Sequence, residues 1–88
     1  QGPDAEAVLS GVLDADVGRL SYYAFLQNAG PHGQLLVSRN GYTGEDGFEI
    51  ICAGKAATTL WEALLDADAE PCGLGCRDTL RTEMGFCL

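Results

Sequence analysis

The sequence predicts an α+β fold, an antiparallel sheet with helices packed on one face. Apolar residues recur at three- and four-residue steps in two separated stretches, Ala5, Val8, Leu9, Val12, Leu13 and then Ala57, Leu60, Trp61, Leu64, Leu65, which marks two amphipathic helices. Between them lie short apolar runs bounded by glycine, proline and asparagine, the pattern of strands joined by turns. Consecutive strands on short connections pair antiparallel, and the flanking helices must then cover the sheet's apolar face.

Pro3 stands where a first helical residue is favoured, and Asp4 and Glu6 put carboxylates at the positive end of the helix dipole. Residues 14–19 break the helical pattern, and residues 20–27, carrying Tyr22, Tyr23 and Phe25, are expected as an aromatic-rich strand. Gly30, Pro31 and Gly33 mark a turn over 28–33, and Leu35, Leu36 and Val37 place the next strand at 34–39. Residues 40–47 hold Gly41, Gly44 and Gly47 with Asn-Gly and Asp-Gly pairs, so this connection must fold over on itself through positive φ angles. In a strand over 48–52, alternation sets Phe48, Ile50 and Cys52 on one face and Glu49 and Ile51 on the other. A second helix is expected over 55–68, packed onto the sheet by Trp61. A third is expected over 76–84, with Leu80 and Met84 on its apolar side and Gly85 as its C-terminal cap.

At 88 residues one compact domain fits and a sizeable second does not. With 13 acidic against 5 basic residues the formal charge is −8, which repels nucleic-acid backbones and anionic lipid surfaces. No apolar run approaches the roughly 20 residues of a membrane-spanning helix, and the first residues lack the basic-then-apolar pattern of a signal peptide. Cys52, Cys72, Cys76 and Cys87 include no Cys-x-x-Cys pair and lie far from His32, so they are expected as reduced, half-buried small residues rather than a disulfide frame or zinc site. A helix starts without lead-in at one end and Phe86-Cys87-Leu88 leaves an apolar run at the other. Residues 1–88 are therefore expected to be a single partial domain, an internal piece of a longer one.

Glu49 follows the glycine-dense connection directly. On an open sheet face it is a solvated glutamate; in a pocket its carboxylate can accept two parallel hydrogen bonds from an amino-heterocycle. Arg77 and Arg81, four apart on one helix face, repel each other unless something anionic faces them. Asp78 and Glu83 are local partners, and the alternative is that one arginine reaches a ligand through its planar fork. Tyr22, Tyr23 and Tyr42 can fill a core or form flat pocket walls with polar tips. His32 is expected on the surface, and Ser38 has no nucleophile-activating neighbours; no phosphate-binding or nucleophile-elbow motif is present.

Three stretches carry more specific information: Gln1-Gly2-Pro3 before a helix, Ser38-Arg39-Asn40-Gly41-Tyr42-Thr43-Gly44-Glu45-Asp46-Gly47-Phe48-Glu49-Ile50, and Pro71-Cys72-Gly73-Leu74-Gly75-Cys76-Arg77-Asp78-Thr79-Leu80-Arg81-Thr82-Glu83-Met84-Gly85. In order and spacing they resemble the central part of the glycine cleavage T-protein family of aminomethyltransferases, as do Tyr22-Tyr23 and the Leu60-Trp61 helix. The resemblance implies part of a ferredoxin-like folate-binding domain. It implies an enzyme that moves the one-carbon unit of an aminomethyl group, carried on the lipoyl arm of H-protein, to tetrahydrofolate with release of ammonia. It further implies that Glu49 recognises the pterin edge, that Arg77 lies in the same site, and that Tyr23 and Tyr42 line it; Tyr22, beside Tyr23, is a further candidate for that lining. The family's catalytic aspartate lies upstream of the stretch matching Gln1, so no catalytic residue is expected here and the isolated piece is expected to be inactive. Asn40 stands where the family commonly has threonine. The resemblance implies a cytoplasmic protein in bacteria or archaea and a mitochondrial one in eukaryotes, with no metal. Folate domains of dimethylglycine or sarcosine dehydrogenases, and non-catalytic folate-binding modules, are the alternatives.

Overall fold

The computed structural model describes residues 1–28 and 30–87. Ala29, in the expected turn, and Leu88, in the terminal apolar run, lie outside them. The chain runs α1 (Ala5–Leu13), one 3₁₀ turn (Val17–Arg19), β1 (Phe25–Asn28), β2 (Leu35–Ser38), β3 (Glu49–Cys52), α2 (Gly54–Asp66) and α3 (Leu74–Glu83). The strands form an antiparallel sheet in the order β1-β2-β3, so the expected α+β fold is the observed one.

Strand pairing fixes which residues share a face. Leu26, Val37 and Ile50 lie side by side, and Leu35 pairs with Cys52; these rows point to the helices. Leu9 and Leu13 of α1, Val17, Leu20 and Leu60 of α2 close over Leu35 and Val37 to make the core, with Phe48, Ile50, Cys52 and Leu64 packed at its margin. The opposite face carries the rows Phe25, Ser38, Glu49 and Gln27, Leu36, Ile51, with Phe25 67% and Ile51 69% exposed. Alternation in β3 is therefore as the sequence predicts.

All three helices stop in the same way. A residue at each C-terminal end takes a left-handed conformation, Asp14 directly after α1 (φ 51°), Asp68 one residue past Ala67 at the end of α2 (φ 67°) and Gly85 one residue past Met84 at the end of α3 (φ 76°). Paired backbone bonds then satisfy the orphan carbonyls, as in Ala69 N–H to Leu64 O at 3.0 Å and Phe86 N–H to Arg81 O at 2.9 Å. Gly85 thus has the capping role expected of it.

Several expectations are corrected. The strand expected over 20–27 is a strand only from Phe25. A turn closed by Ala24 N–H to Ser21 O puts Tyr23 at φ 65°; Tyr23 N–H and Ala24 O then both bond to Arg39, so two residues oppose one and the ladder bulges. Trp61 does not pack α2 on the sheet: it is 52% exposed, and Leu60, one position earlier, is the buried anchor. The helix expected over 55–68 ends at Asp66 because Asp68 turns left-handed, and that expected over 76–84 begins two residues earlier, with Gly73 as its N-cap. His32 is half-buried, its Nε2 3.2 Å from the Val12 carbonyl, so it ties the β1–β2 connection to the end of α1 instead of standing free. The four cysteines are free thiols, but only Cys52 is half-buried, the other three being exposed.

Two substitutions test this packing in opposite directions. Leu13→Ala, at a side chain 1% exposed, lowers unfolding stability by about 2–5 kcal/mol in urea titration with an unchanged slope. Asp68→Gly, which relieves a left-handed L-residue, raises it by about 0.5–1 kcal/mol.

Candidate functional site

The site grows from the connection between β2 and β3, residues 40–47, which is held from two sides. Arg39 holds it from behind. Its Nε and Nη2 donate to the two carboxylate oxygens of Asp46 at 2.9 and 2.7 Å, and Nη2 also meets Glu6 Oε2 of α1 at 2.7 Å. Nη1 donates to the Leu20 carbonyl at 2.9 Å and the Gly18 carbonyl at 3.4 Å, while the Phe48 ring lies 5.2 Å from the guanidinium carbon. Only 14% of the Arg39 side chain is exposed.

Gln1 holds the connection from the front. Its amide donates to the carbonyls of Asn40 at 3.2 Å and Phe48 at 3.1 Å, Thr43 Oγ1 donates to its oxygen at 3.4 Å, and Gly2 N–H donates to Asp46 O at 2.8 Å. Two of the glycines are explained by this contact. A Cβ at Gly41 or at Gly47 would strike the Gln1 side chain, so only glycine lets the amide seat between them.

Tyr42, on this connection, stands between two hollows. One, of about 620 Å³, is walled by Trp61, Leu64, Leu65 and Leu80 and bordered by Glu49 and Arg77. The other, of about 370 Å³, is framed by Tyr22, Tyr23, Phe86 and Asn40. Gly41, Tyr42 and Glu49 border both. The Arg77 guanidinium lies 4.8 Å from the Tyr42 ring centre, and Phe86 meets Tyr42 edge-on at 6.2 Å. Tyr22 and Tyr23 pack 4.2 Å apart, tilted by 52°, and the Tyr23 hydroxyl is the main cause holding the Tyr22 phenol above its ordinary value.

The structure thus brings Glu49, Arg77 and Tyr42 to one hollow, and Tyr22 and Tyr23 to the adjoining one across Tyr42 and Glu49. It also separates the two arginines that helical spacing by itself leaves equivalent. Arg81 pairs with Asp78 and donates to Phe86 O at 3.0 Å, whereas Arg77 has no ion pair among the described residues. The Glu49 carboxylate likewise has no hydrogen-bond partner among them; only its main-chain carbonyl is engaged, by Ser38 Oγ at 3.5 Å. An unpaired carboxylate and an unpaired cation beside aromatic and aliphatic walls can bind a flat polar ring. Cys72 and Cys76 also line the larger hollow; hydrogen bonding to Cys76 is the main cause raising the Cys72 thiol above its ordinary value, which disfavours a nucleophilic thiolate. Gln1, Arg39, Trp61 and Phe86 are parts of the site that sequence reasoning did not single out. The three glycines signalled a close approach but not what approaches.

Asp46 gives a pH test. The Arg39 hydrogen bonds, first among its perturbers, hold its carboxyl below the ordinary 3.8. A depressed carboxyl contributes stability in full above the ordinary range and loses it as pH falls through its folded value. Urea midpoints followed from pH 7 down to about 2 therefore fall less steeply in Asp46→Asn than in the parent, and coincident acid limbs would contradict the pairing.

Comparison with known proteins places the chain. The family model described as GCVT N-terminal domain matches residues 1–88. An aminomethyltransferase of Rubrobacter xylanophilus is 48% identical over 88 residues, covering 100% of this chain and 24% of that protein. One of Bacillus subtilis is 52% identical over 88 residues, covering 94% of this chain and 24% of its own length. One of Staphylococcus epidermidis is 46% identical over 87 residues, covering 98% and 24%. The chain spans about a quarter of the length of the curated relatives it matches. With a matching family model from its first residue to its last, and a fold that agrees, this chain belongs to the GCVT N-terminal domain family.

Proposed function

We propose that the chain supplies part of the tetrahydrofolate pocket of an aminomethyltransferase. That enzyme takes an aminomethyl group from the lipoyl arm of H-protein, passes its one-carbon unit to tetrahydrofolate and releases ammonia. The observation that carries the proposal is that Glu49, Arg77 and Tyr42, distant in sequence, border one hollow while the first two keep their charged groups unpaired. The names of the relatives support the reaction class.

The residues fit a pterin. Glu49 accepts two parallel hydrogen bonds from an adjacent ring N–H and amino group, and such charge-assisted pairs are about twice as strong as neutral ones. Tyr42, Tyr22 and Tyr23 offer flat walls with polar tips. Arg77, its guanidinium laid against Tyr42, presents donors to the anionic or carbonyl groups of the same ligand. The volume of about 620 Å³ suits a small-molecule site. Residues 1–88 then act as one partial domain in a longer protein. Their contribution is binding and orientation, which removes the entropic cost of bringing two substrates together. The group that handles charge at the reacting nitrogen comes from outside these residues. A cytoplasmic location follows the bacterial relatives.

The test is titration calorimetry of tetrahydrofolate against the full-length protein. Glu49→Ala weakens affinity by about tenfold or more, because truncation leaves ring donors unpaired in a partly enclosed site, while Glu62→Ala, on α2 and outside both hollows, leaves it unchanged. Equal affinity in the parent and Glu49→Ala removes Glu49 from the pocket. Arg77→Lys keeps the charge but loses the planar stack on Tyr42 and weakens binding by roughly 3- to 10-fold.

A further inference from the structure

Arg39 lines neither hollow, yet it is bonded to two of the three segments that wall the smaller one, the stretch that carries Tyr22 and Tyr23 and the connection that carries Tyr42 and leads into Glu49; residues 85–87 form the third. Its bonds to Asp46 hold the connection that carries Tyr42 and leads into Glu49. Its bonds to the Leu20 and Gly18 carbonyls hold the stretch just before Tyr22 and Tyr23. Its main chain continues the same bracket: Tyr23 N–H donates to Arg39 O at 2.9 Å and Arg39 N–H to Ala24 O at 3.0 Å, across the bulge that turns Tyr23 outward. Glu6, at 2.7 Å, anchors the guanidinium to α1 and hence to the core.

We propose that Arg39 is a positioning residue for the folate pocket, setting the gap between the Tyr22–Tyr23 wall and the Tyr42–Glu49 wall while touching no ligand. The inference rests on the pocket reading above. Geometry requires the guanidinium in particular. Its planar fork reaches both oxygens of Asp46, the Glu6 carboxylate and two carbonyls at once, whereas a lysine offers one compact nitrogen that cannot span acceptors on three segments. Loss of the fork lets the two walls shift relative to each other, and misplacement on the scale of 1 Å is costly in a site that works by orientation.

The experiment uses the full-length protein with Arg39→Lys, Asp46→Asn and Glu49→Ala, each titrated calorimetrically with tetrahydrofolate at a temperature where circular dichroism shows it folded. The expected result is a Kd raised about tenfold or more in Arg39→Lys and Asp46→Asn, with stoichiometry equal to the parent's. A residue that served stability alone would lower the fraction of competent protein, hence the stoichiometry, and leave the Kd of the folded molecules unmoved; that result overturns the proposal. If Arg39→Lys does not fold, Asp46→Asn decides by the same criterion, since it removes the fork's main acceptor charge at nearly constant shape. Weakened binding in Glu49→Ala beside unchanged binding in the other two overturns the role of Arg39 alone, whereas unchanged binding in Glu49→Ala overturns the pocket itself.

Discussion

A guanidinium taken out of water must find acceptors for its donors on every side, and Arg39 is where this fold meets that demand. Two carboxylates and two carbonyls from three separate segments converge on it, and an aromatic ring covers its face. In a chain this short the buried apolar cluster among the described residues is seven side chains, too few to dictate the path of every connection. Ionic and hydrogen-bonded ties therefore shape what the core does not reach. The β2–β3 connection has almost no apolar content of its own, and its form follows from Arg39 behind it and Gln1 in front.

The division of labour within the site follows from this. The sheet supplies Glu49 on its solvent-facing side, α3 supplies Arg77, and the connection places Tyr42 between the two hollows. Tyr42 is held by contact with two neighbours of different character, a cation against its ring and the edge of Phe86. Both contacts come from α3 or the residues just past it, so the seat of this helix governs the shape of both hollows. The helix buries no side chain completely, and a Cβ on Gly44 would strike Met84 at its end, which shows how closely the connection and the helix terminus approach.

Much of the fold was legible because its elements obey strong periodicities. Leu9, Leu13 and Leu60 repeat at helical steps and are buried; Phe48, Ile50 and Cys52 alternate with Glu49 and Ile51 and divide between faces as expected. The failures have identifiable causes. Tyr22 and Tyr23 have strong strand propensity, but an unforeseen turn at Ser21 overrode it. Trp61 and Leu60 are neighbours on one helix, and hydrophobicity alone does not say which meets the core. Of the site, Glu49, Arg77 and Tyr42 were visible as residue types in a specific spacing, whereas the choice of Arg77 over Arg81 came from the family resemblance alone; helical spacing leaves the two equivalent, and what separates them in the structure is side-chain reach to Asp78 and Phe86. The seat of Gln1 between two glycines was legible only as a need for closeness.

Tyr23 is an L-residue held at φ 65° and is 73% exposed. Glycine would occupy that backbone position more comfortably, by about 1 kcal/mol, and a buried ring would bring a hydrophobic gain that this one forgoes. On stability alone, then, the position is poorly filled twice over. Mutational drift or design that optimises melting temperature would favour replacing it, and would erode the aromatic wall while improving the scaffold. Thermal robustness and the ligand recognition proposed for this pocket thus pull this one amino acid in opposite directions.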